Sequence, residues 1–313
     1  MTPAPPNKKA ALRGGRVAGP GEQLLAELRP GQSIELLKEL HILTREGQLN
    51  QDSRRKLKQV YHLFHFIEKI LADLTAQRVG AATAGGQESK GAALALADHG
   101  AGKSYLGFII YDLFFRARDT GWIYGIETRP ELVQKSRGLA SRLGFDRMSF
   151  LNLSVADSAD ATELPERFDL VTALHACDTA TDDAIEFGLR KRARYMVLVP
   201  CCQAEIARRL NAGKALSLGR TPLAELWRHP LHTRELGSQL TNVLRCLYLE
   251  ASGYHVTVTE LVGWEHSMKN ELIIARYTGQ RSRAAAQRLQ ELLEQFGLQE
   301  LLRTRFAMLS GRA

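Results

Sequence analysis

Two short apolar runs end on residues that could do chemistry. In "FDLVTALHACDTATDD" a buried-strand pattern stops at His175, Cys177 and Asp178, and in "YMVLVPCCQAE" another stops at Cys201 and Cys202. Strands that neighbour each other in one sheet would bring three of the four cysteines and one histidine to a single edge. A thiolate is a strong nucleophile that can also leave again, so covalent catalysis is one reading. Zinc held by His175, Cys177, Cys201 and Cys202 is a second, but adjacent cysteines point apart and the spacings match no standard zinc module, so no metal is expected. In the third, His175 and Asp178 orient or deprotonate an acceptor, while Cys201 and Cys202 shape the same wall as small apolar side chains.

Such an edge needs a sheet to hold it. After the glycine-rich "GAATAGGQESKG", apolar runs alternate with helical stretches: "AALALAD", a helix over "SYLGFIIYDLFFRA", "WIYGIE", a helix over "PELVQKSRGLASRLG", "SFLNLS", "FDLVTAL", a helix from Asp182, and "YMVLVP". Strands separated by helices of this length read as βαβ units in a parallel sheet. "YHVTVTELV" and "NELIIARYT" lie close enough to pair as an antiparallel hairpin, and 281–313 read as C-terminal helices. Upstream, Leu57, Val60, Tyr61, Phe64, Ile67 and Leu71 recur at spacings of three and four, one apolar face of a helix capped by Asp52 or Ser53. Four regions are expected: a disordered basic tail (1–30), a helical appendage (31–80), a ligand-binding domain (90–278) and the C-terminal helices (281–313).

Between the first strand and its helix lies "ALADHGAGKSYLGF". Gly100 and Gly102 allow a tight turn and close approach of a ligand to the backbone, and the helix beyond offers its first N–H groups. Ala97, Gly102, Lys103 and Ser104 fit a relaxed P-loop, in which Lys103 would touch phosphate and Ser104 would hold magnesium, but a second acidic strand end for the metal is missing.

The same stretch resembles motif I of class I S-adenosylmethionine-dependent methyltransferases, with Ser104 in place of the usual third glycine. The resemblance, carried also by Glu127 in "WIYGIETRPELV", by the two cysteine-bearing strand ends and by the closing hairpin, spans about residues 90–278. It implies an α/β, Rossmann-like fold with a mostly parallel seven-stranded sheet and a reversed last strand. It implies S-adenosyl-L-methionine as cofactor, with Asp98, Gly100 and Gly102 along its methionine end, Lys103 in the same loop, Glu127 on the ribose hydroxyls, and Ser154 or Asp157 near the adenine. Within that family, "ALHACDTATDDAI" with "VPCCQ" resembles a branch whose neighbours include transfer-RNA modification enzymes. Cysteines follow the same two strands in RNA 5-methylcytosine methyltransferases, but the motifs around them differ here.

The bulk properties suit a polyanionic substrate. Formal charge is +8, with 13 Lys/Arg against 8 Asp/Glu in residues 1–80 and 10 against 3 in residues 186–234. Clustered positive charge is the footprint of nucleic acid, so RNA is the expected partner, held by the basic N-terminal helix and the 186–234 region. No membrane partner is expected, because no apolar run approaches a membrane span, and four cysteines in 313 residues fit a reducing cytoplasm. The expected activity is methyl transfer to structured RNA; a protein or small-molecule acceptor, or a non-catalytic cofactor-binding subunit, are the alternatives.

Overall fold

The computed structural model describes residues 27–84, 93–118, 120–174, 178–200, 203–212, 221–261 and 271–310. Two helices come first, α1 (Ile34–Glu39) and α2 (Gln51–Ala84). Then follow β1 (Ala95–His99), α3 (Tyr105–Ile110) running into a π-helical turn over Tyr111–Phe115, β2 (Trp122–Glu127), α4 (Pro130–Leu143) and β3 (Met148–Asn152). Next come α5 (Val155–Asp160), β4 (Leu170–Leu174), α6 (Ala180–Arg190), β5 (Tyr195–Val199) and α7 (Glu205–Asn211). After a 3-10 turn over Pro222–Trp227 the chain closes with α8 (Pro230–Ala251), β6 (Tyr254–Glu260), β7 (Glu271–Tyr277), α9 (Arg283–Gln295), α10 (Leu301–Thr304) and α11 (Ala307–Ser310).

The seven strands form one sheet in the order β3-β2-β1-β4-β5-β7-β6. β1 to β5 are parallel, with Leu96 paired to both Ile123 and Leu170, while β7 runs antiparallel to β5 and β6. The order reverses between β1 and β4, which opens a crevice at the carboxyl ends of those strands, where α/β folds bind ligands. β4 and β5 are neighbours in register from Leu170↔Tyr195 to Leu174↔Val199, so the two cysteine-bearing loops leave adjacent strand ends.

Both faces of the sheet are covered, one of them by the expected helical N-terminal region. Leu57, Leu63, Phe64, Ile67, Ile70, Leu71 and Leu74 of α2 are buried in one core with Leu96 and Ile123 of the sheet and Phe108 of α3. Burial of side chains this size contributes about 1.5–3 kcal/mol each, so the helix is a layer of the domain. Its N-cap is Asn50, whose Oδ1 accepts the Ser53 N–H at 2.8 Å, not Asp52 or Ser53. Polar bonds reinforce the packing: Asp112 accepts the Ser33 N–H at 2.8 Å, and Arg78 pairs with the buried Asp169 at 2.7 Å. A second core beneath the other face joins Phe168, Phe187, Met196 and Ile273 to Leu244, Tyr248, Leu289 and Phe306 of the C-terminal helices.

Candidate active site

The glycine loop is built around a buried carboxylate. Asp98, in β1, is 2% exposed, and its Oδ2 accepts the Ser104 hydroxyl at 2.8 Å while its Oδ1 accepts the Thr172 hydroxyl at 3.1 Å. The Gly107 N–H is a third donor. Burial pushes the Asp98 pKa up to about 6, against the opposing pull of those donors. The side chain is buried and braces the loop from behind. Gly107 leaves it room, since a Cβ there would come within 2.5 Å of Ser104 Oγ and 3.1 Å of Asp98 Oδ2.

Ser104 stands where a glycine was expected and adopts glycine-like backbone, with φ of +51°. A left-handed serine is strained, and the buried hydrogen bond to Asp98 offsets that strain. The same bond removes the P-loop reading, because the hydroxyl that would hold magnesium is fully buried against Asp98. Lys103 is exposed and turns into a cleft beside Glu131 and Lys135.

Glu127 ends β2 directly beside this loop. Its Oε2 accepts the Gly102 N–H at 2.7 Å, and its Oε1 accepts the Arg129 N–H at 3.0 Å and Nε at 2.9 Å. Burial raises its pKa, but the Arg129 guanidinium and N–H and the Gly102 N–H outweigh that and hold it at about 2, so it is ionised at any working pH. Gly102 has φ of +58°, and a Cβ there would project toward Arg129 Nη2, 3.8 Å away. A loop opened by Gly100 and Gly102 beside an ionised carboxylate is a fit for a ligand carrying a vicinal diol, since one carboxylate can accept both hydroxyls. Gly100 shares that left-handed backbone, with φ of +66°. S-adenosylmethionine presents that diol on its ribose, and the donor set here fits it.

At the end of β3, Asn152 clamps the Glu127 and Thr128 carbonyls at 3.0 and 2.8 Å. Ser154 and Asp157 are tied to one another: Ser154 caps α5 by accepting the Asp157 N–H at 3.2 Å, and its hydroxyl donates to the Asp157 carboxylate. Both lie beyond the carboxyl end of β3, on the Glu127 side of the crevice.

Asp178 is bonded to donors of its own chain. It sits at φ of +51°, and its Oδ1 accepts the N–H groups of Ala204 and Glu205 at 3.0 and 3.1 Å, while Arg208 pairs with its Oδ2 at 3.0 Å. Burial opposes ionisation, but those backbone donors and Arg208 hold the carboxyl below its usual range, which leaves a poor proton acceptor. What Asp178 does is fasten the loop after β4 to the start of α7, so that the two cysteine-bearing loops share one anchor. Arg245, 1% exposed, adds a second fastening by bonding both oxygens of Asp182 (2.8 and 2.7 Å) and the Asp178 carbonyl (2.7 Å). His175, Cys177, Cys201, Cys202, Trp264 and His266 lie outside the described residues. Cys246, on α8, is half-buried, and burial with the nearby Glu271 and Glu250 pushes its thiol up to about 12, so it is unreactive.

Two site residues escaped the sequence reading. Thr172 reads as an ordinary strand residue, yet it reaches Asp98 from the neighbouring strand. His99 is buried with neither ring nitrogen hydrogen-bonded, packs 5.1 Å from Phe187 with the rings tilted by 40°, and is pushed down to about 4 by burial. It is neutral at physiological pH and fills the space under the loop.

Residues 55–209 match the family model of a methyltransferase domain. A sequence comparison with curated proteins finds no match. Among solved structures, the chain is similar to precorrin-6y C5,15-methyltransferase from Geobacter metallireducens, at 17% identity over 60% of this chain and 81% of that one, TM-score 0.36. It is similar also to magnesium protoporphyrin IX methyltransferase from Synechocystis PCC 6803 with bound S-adenosylhomocysteine, at 12% identity over 78% and 93%, TM-score 0.41. A third is TrmK of M. capricolum in complex with S-adenosylhomocysteine, at 11% identity over 61% and 65%, TM-score 0.37. The sheet order with its reversed β7, the braced glycine loop beside Glu127 and the family match together make the chain a class I S-adenosylmethionine-dependent methyltransferase.

Proposed function

We propose that the chain methylates structured RNA, transfer or ribosomal, in the cytoplasm. The observation that carries this reading is positive charge without acidic partners: the chain has a net charge of +8, and among the described residues Lys56 and Lys58 stand exposed on α2 with no salt bridge. Their neighbours Arg54 and Arg55 are partly neutralised by Glu27 at 2.9 Å and Asp52 at 3.8 Å. In 186–234 most described arginines are paired, Arg190 with Asp160, Arg208 with Asp178 and Arg228 with Glu225. That region therefore adds less to RNA attraction than its composition suggests.

The bound cofactor supplies an electrophilic methyl group on a sulfonium, and the chain positions the acceptor's lone pair against it. Glu127 releases Arg129 and accepts the ribose hydroxyls in its place. Gly100 and Gly102 let the cofactor reach the backbone, and Asp98 keeps that backbone fixed through Ser104 and Thr172. Asp178 and Arg245 hold the ends of β4 and β5 as one wall facing the acceptor. His175 would receive the acceptor's proton, with no covalent step at Cys201 or Cys202.

The experiment is transfer of a labelled methyl group from S-adenosylmethionine into RNA and protein fractions of a strain lacking this gene, with and without ribonuclease. Label in RNA that disappears with ribonuclease is the expected result. Label that survives ribonuclease in the protein fraction, or none in any macromolecule, would contradict the RNA acceptor.

A further inference from the structure

A cavity of about 1430 Å³ lies at the amino ends of the strands, the opposite end of the sheet from the glycine loop. That is larger than the roughly 300–1,000 Å³ of a small-molecule pocket. Its floor is the start of β2, β1 and β4, and its far wall is Ser252, Tyr254 and Tyr277 with the first turn of α9. From β2 to β7 there are four strand spacings, a trough of roughly 19 Å.

Six arginines line it: Arg78, Arg167, Arg192, Arg194, Arg281 and Arg283. The one acid in the lining, Asp169, is committed to Arg78 at 2.7 Å and to the Ala95 N–H at 2.8 Å. Arg167, Arg192, Arg281 and Arg283 are exposed and form no salt bridge among the described residues. Four unpaired guanidinium groups around one hollow repel each other, and an anion is what relieves that repulsion. The N-terminal turn of the 13-residue α9 adds its positive dipole end to the same wall.

Aromatic rings stand at both ends of the trough. Trp122 is 39% exposed and lies nearly parallel to Tyr124 at 6.4 Å, and Tyr277 is 53% exposed beside Tyr254 at 5.2 Å. Half-exposed rings among arginines provide flat faces for bases and charges for phosphates, the combination that holds single-stranded nucleic acid. A free phosphate or nucleotide would need neither the length nor two separated rings.

We infer that this cleft binds a single-stranded segment of RNA, with the arginines on the phosphates and Trp122 and Tyr277 on bases. The inference rests on the reading of RNA as partner and adds a second contact site, remote from the methyl-transfer crevice. It lets one RNA be gripped at the back of the sheet while another part reaches the front.

The test is fluorescence anisotropy of a labelled single-stranded oligouridylate of about 15 nucleotides titrated with the full chain across a salt series. Arg281→Ala/Arg283→Ala should weaken binding at least tenfold and lower the slope of log affinity against log salt by about 1.4, some 0.7 per lost phosphate contact. Trp122→Ala should weaken it roughly tenfold with the slope unchanged, as loss of stacking requires. Duplex RNA should compete poorly, because its bases are already stacked. If Lys56→Ala/Lys58→Ala abolishes binding while the cleft variants bind like wild type, the cleft is overturned and RNA remains the partner. If wild type binds no RNA, cleft and RNA reading fall together. If binding behaves as expected but labelled methyl enters protein alone, the cleft stands and the RNA acceptor falls.

Discussion

The two ends of the sheet solve opposite problems. At the carboxyl ends three carboxylates are matched to donors of their own chain: Asp98 to Ser104 and Thr172, Glu127 to Gly102 and Arg129, Asp178 to Ala204, Glu205 and Arg208. At the amino ends four arginines have no acid to meet. Methyl transfer depends on position, so its end is internally fixed. Recognition of a flexible polyanion, which we infer for the amino end, depends on charge left available.

That contrast ranks the outcomes of substitution. Arg245→Met should be the most damaging, costing about 3–5 kcal/mol in urea denaturation, because Asp182 would be left buried without its counter-ion. A cost below about 1 kcal/mol would show that the carboxyl end is not held by such pairs.

Next come Asp98 and His99, whose shifts oppose each other. Asp98 is raised from 3.8 to about 6, so between those values the folded chain keeps a proton that the unfolded chain releases, and stability falls as pH rises. His99 is lowered from 6.5 to about 4, so the unfolded chain holds the proton and stability rises with pH over nearly the same window. Asp183, half-buried in the first turn of α6, is raised by burial to about 6 as well, so wild type should lose stability from pH 4 to 6. His99→Leu removes the rising arm and should fall by about 3 kcal/mol more than wild type over that window, read from denaturation midpoints. A profile parallel to that of wild type would mean that His99 is not lowered.

Smaller effects sharpen the distinction. Glu127→Gln should weaken S-adenosylmethionine binding roughly 10- to 100-fold, as loss of a charged acceptor for two hydroxyls implies, with a modest fall in melting temperature because the amide keeps a single acceptor oxygen for Gly102 and Arg129. Asp178→Asn should cost about 1 kcal/mol of stability, since it cannot hold Arg208 as an ion pair. Arg281→Ala/Arg283→Ala should alter stability by less than about 0.5 kcal/mol, because exposed cations without partners contribute little to folding. A larger loss would show that the amino-end arginines serve the fold.

Much of the fold was legible because it is local. β2 begins and ends where "WIYGIE" does, and α4 fills "PELVQKSRGLASRL" between Pro130 at its start and Gly144 at its end. What escaped the sequence is what depends on distance along the chain. Thr172 meets Asp98 across 74 residues, and nothing in "LVTAL" marks it. Arg190, Arg208 and Arg209 belong to the basic 186–234 region that looked like a nucleic-acid surface, but Asp160, Asp178, Glu205 and Glu300 pair with them, all but Glu205 from far away in sequence. The unpaired charge gathers instead from positions 167, 192, 281 and 283, which no window of sequence contains. The long helix showed its apolar stripe plainly, yet a stripe does not say whether it covers the sheet or a separate unit.

The central claim is that the glycine loop and Glu127 hold S-adenosylmethionine, and calorimetric titration of the full chain with S-adenosylmethionine and S-adenosylhomocysteine, on wild type and Glu127→Gln, tests it most directly. Saturable one-to-one binding of both ligands, weakened at least tenfold by the substitution, is the predicted result. No binding by the folded wild-type chain, or equal affinity in the two proteins, would contradict it.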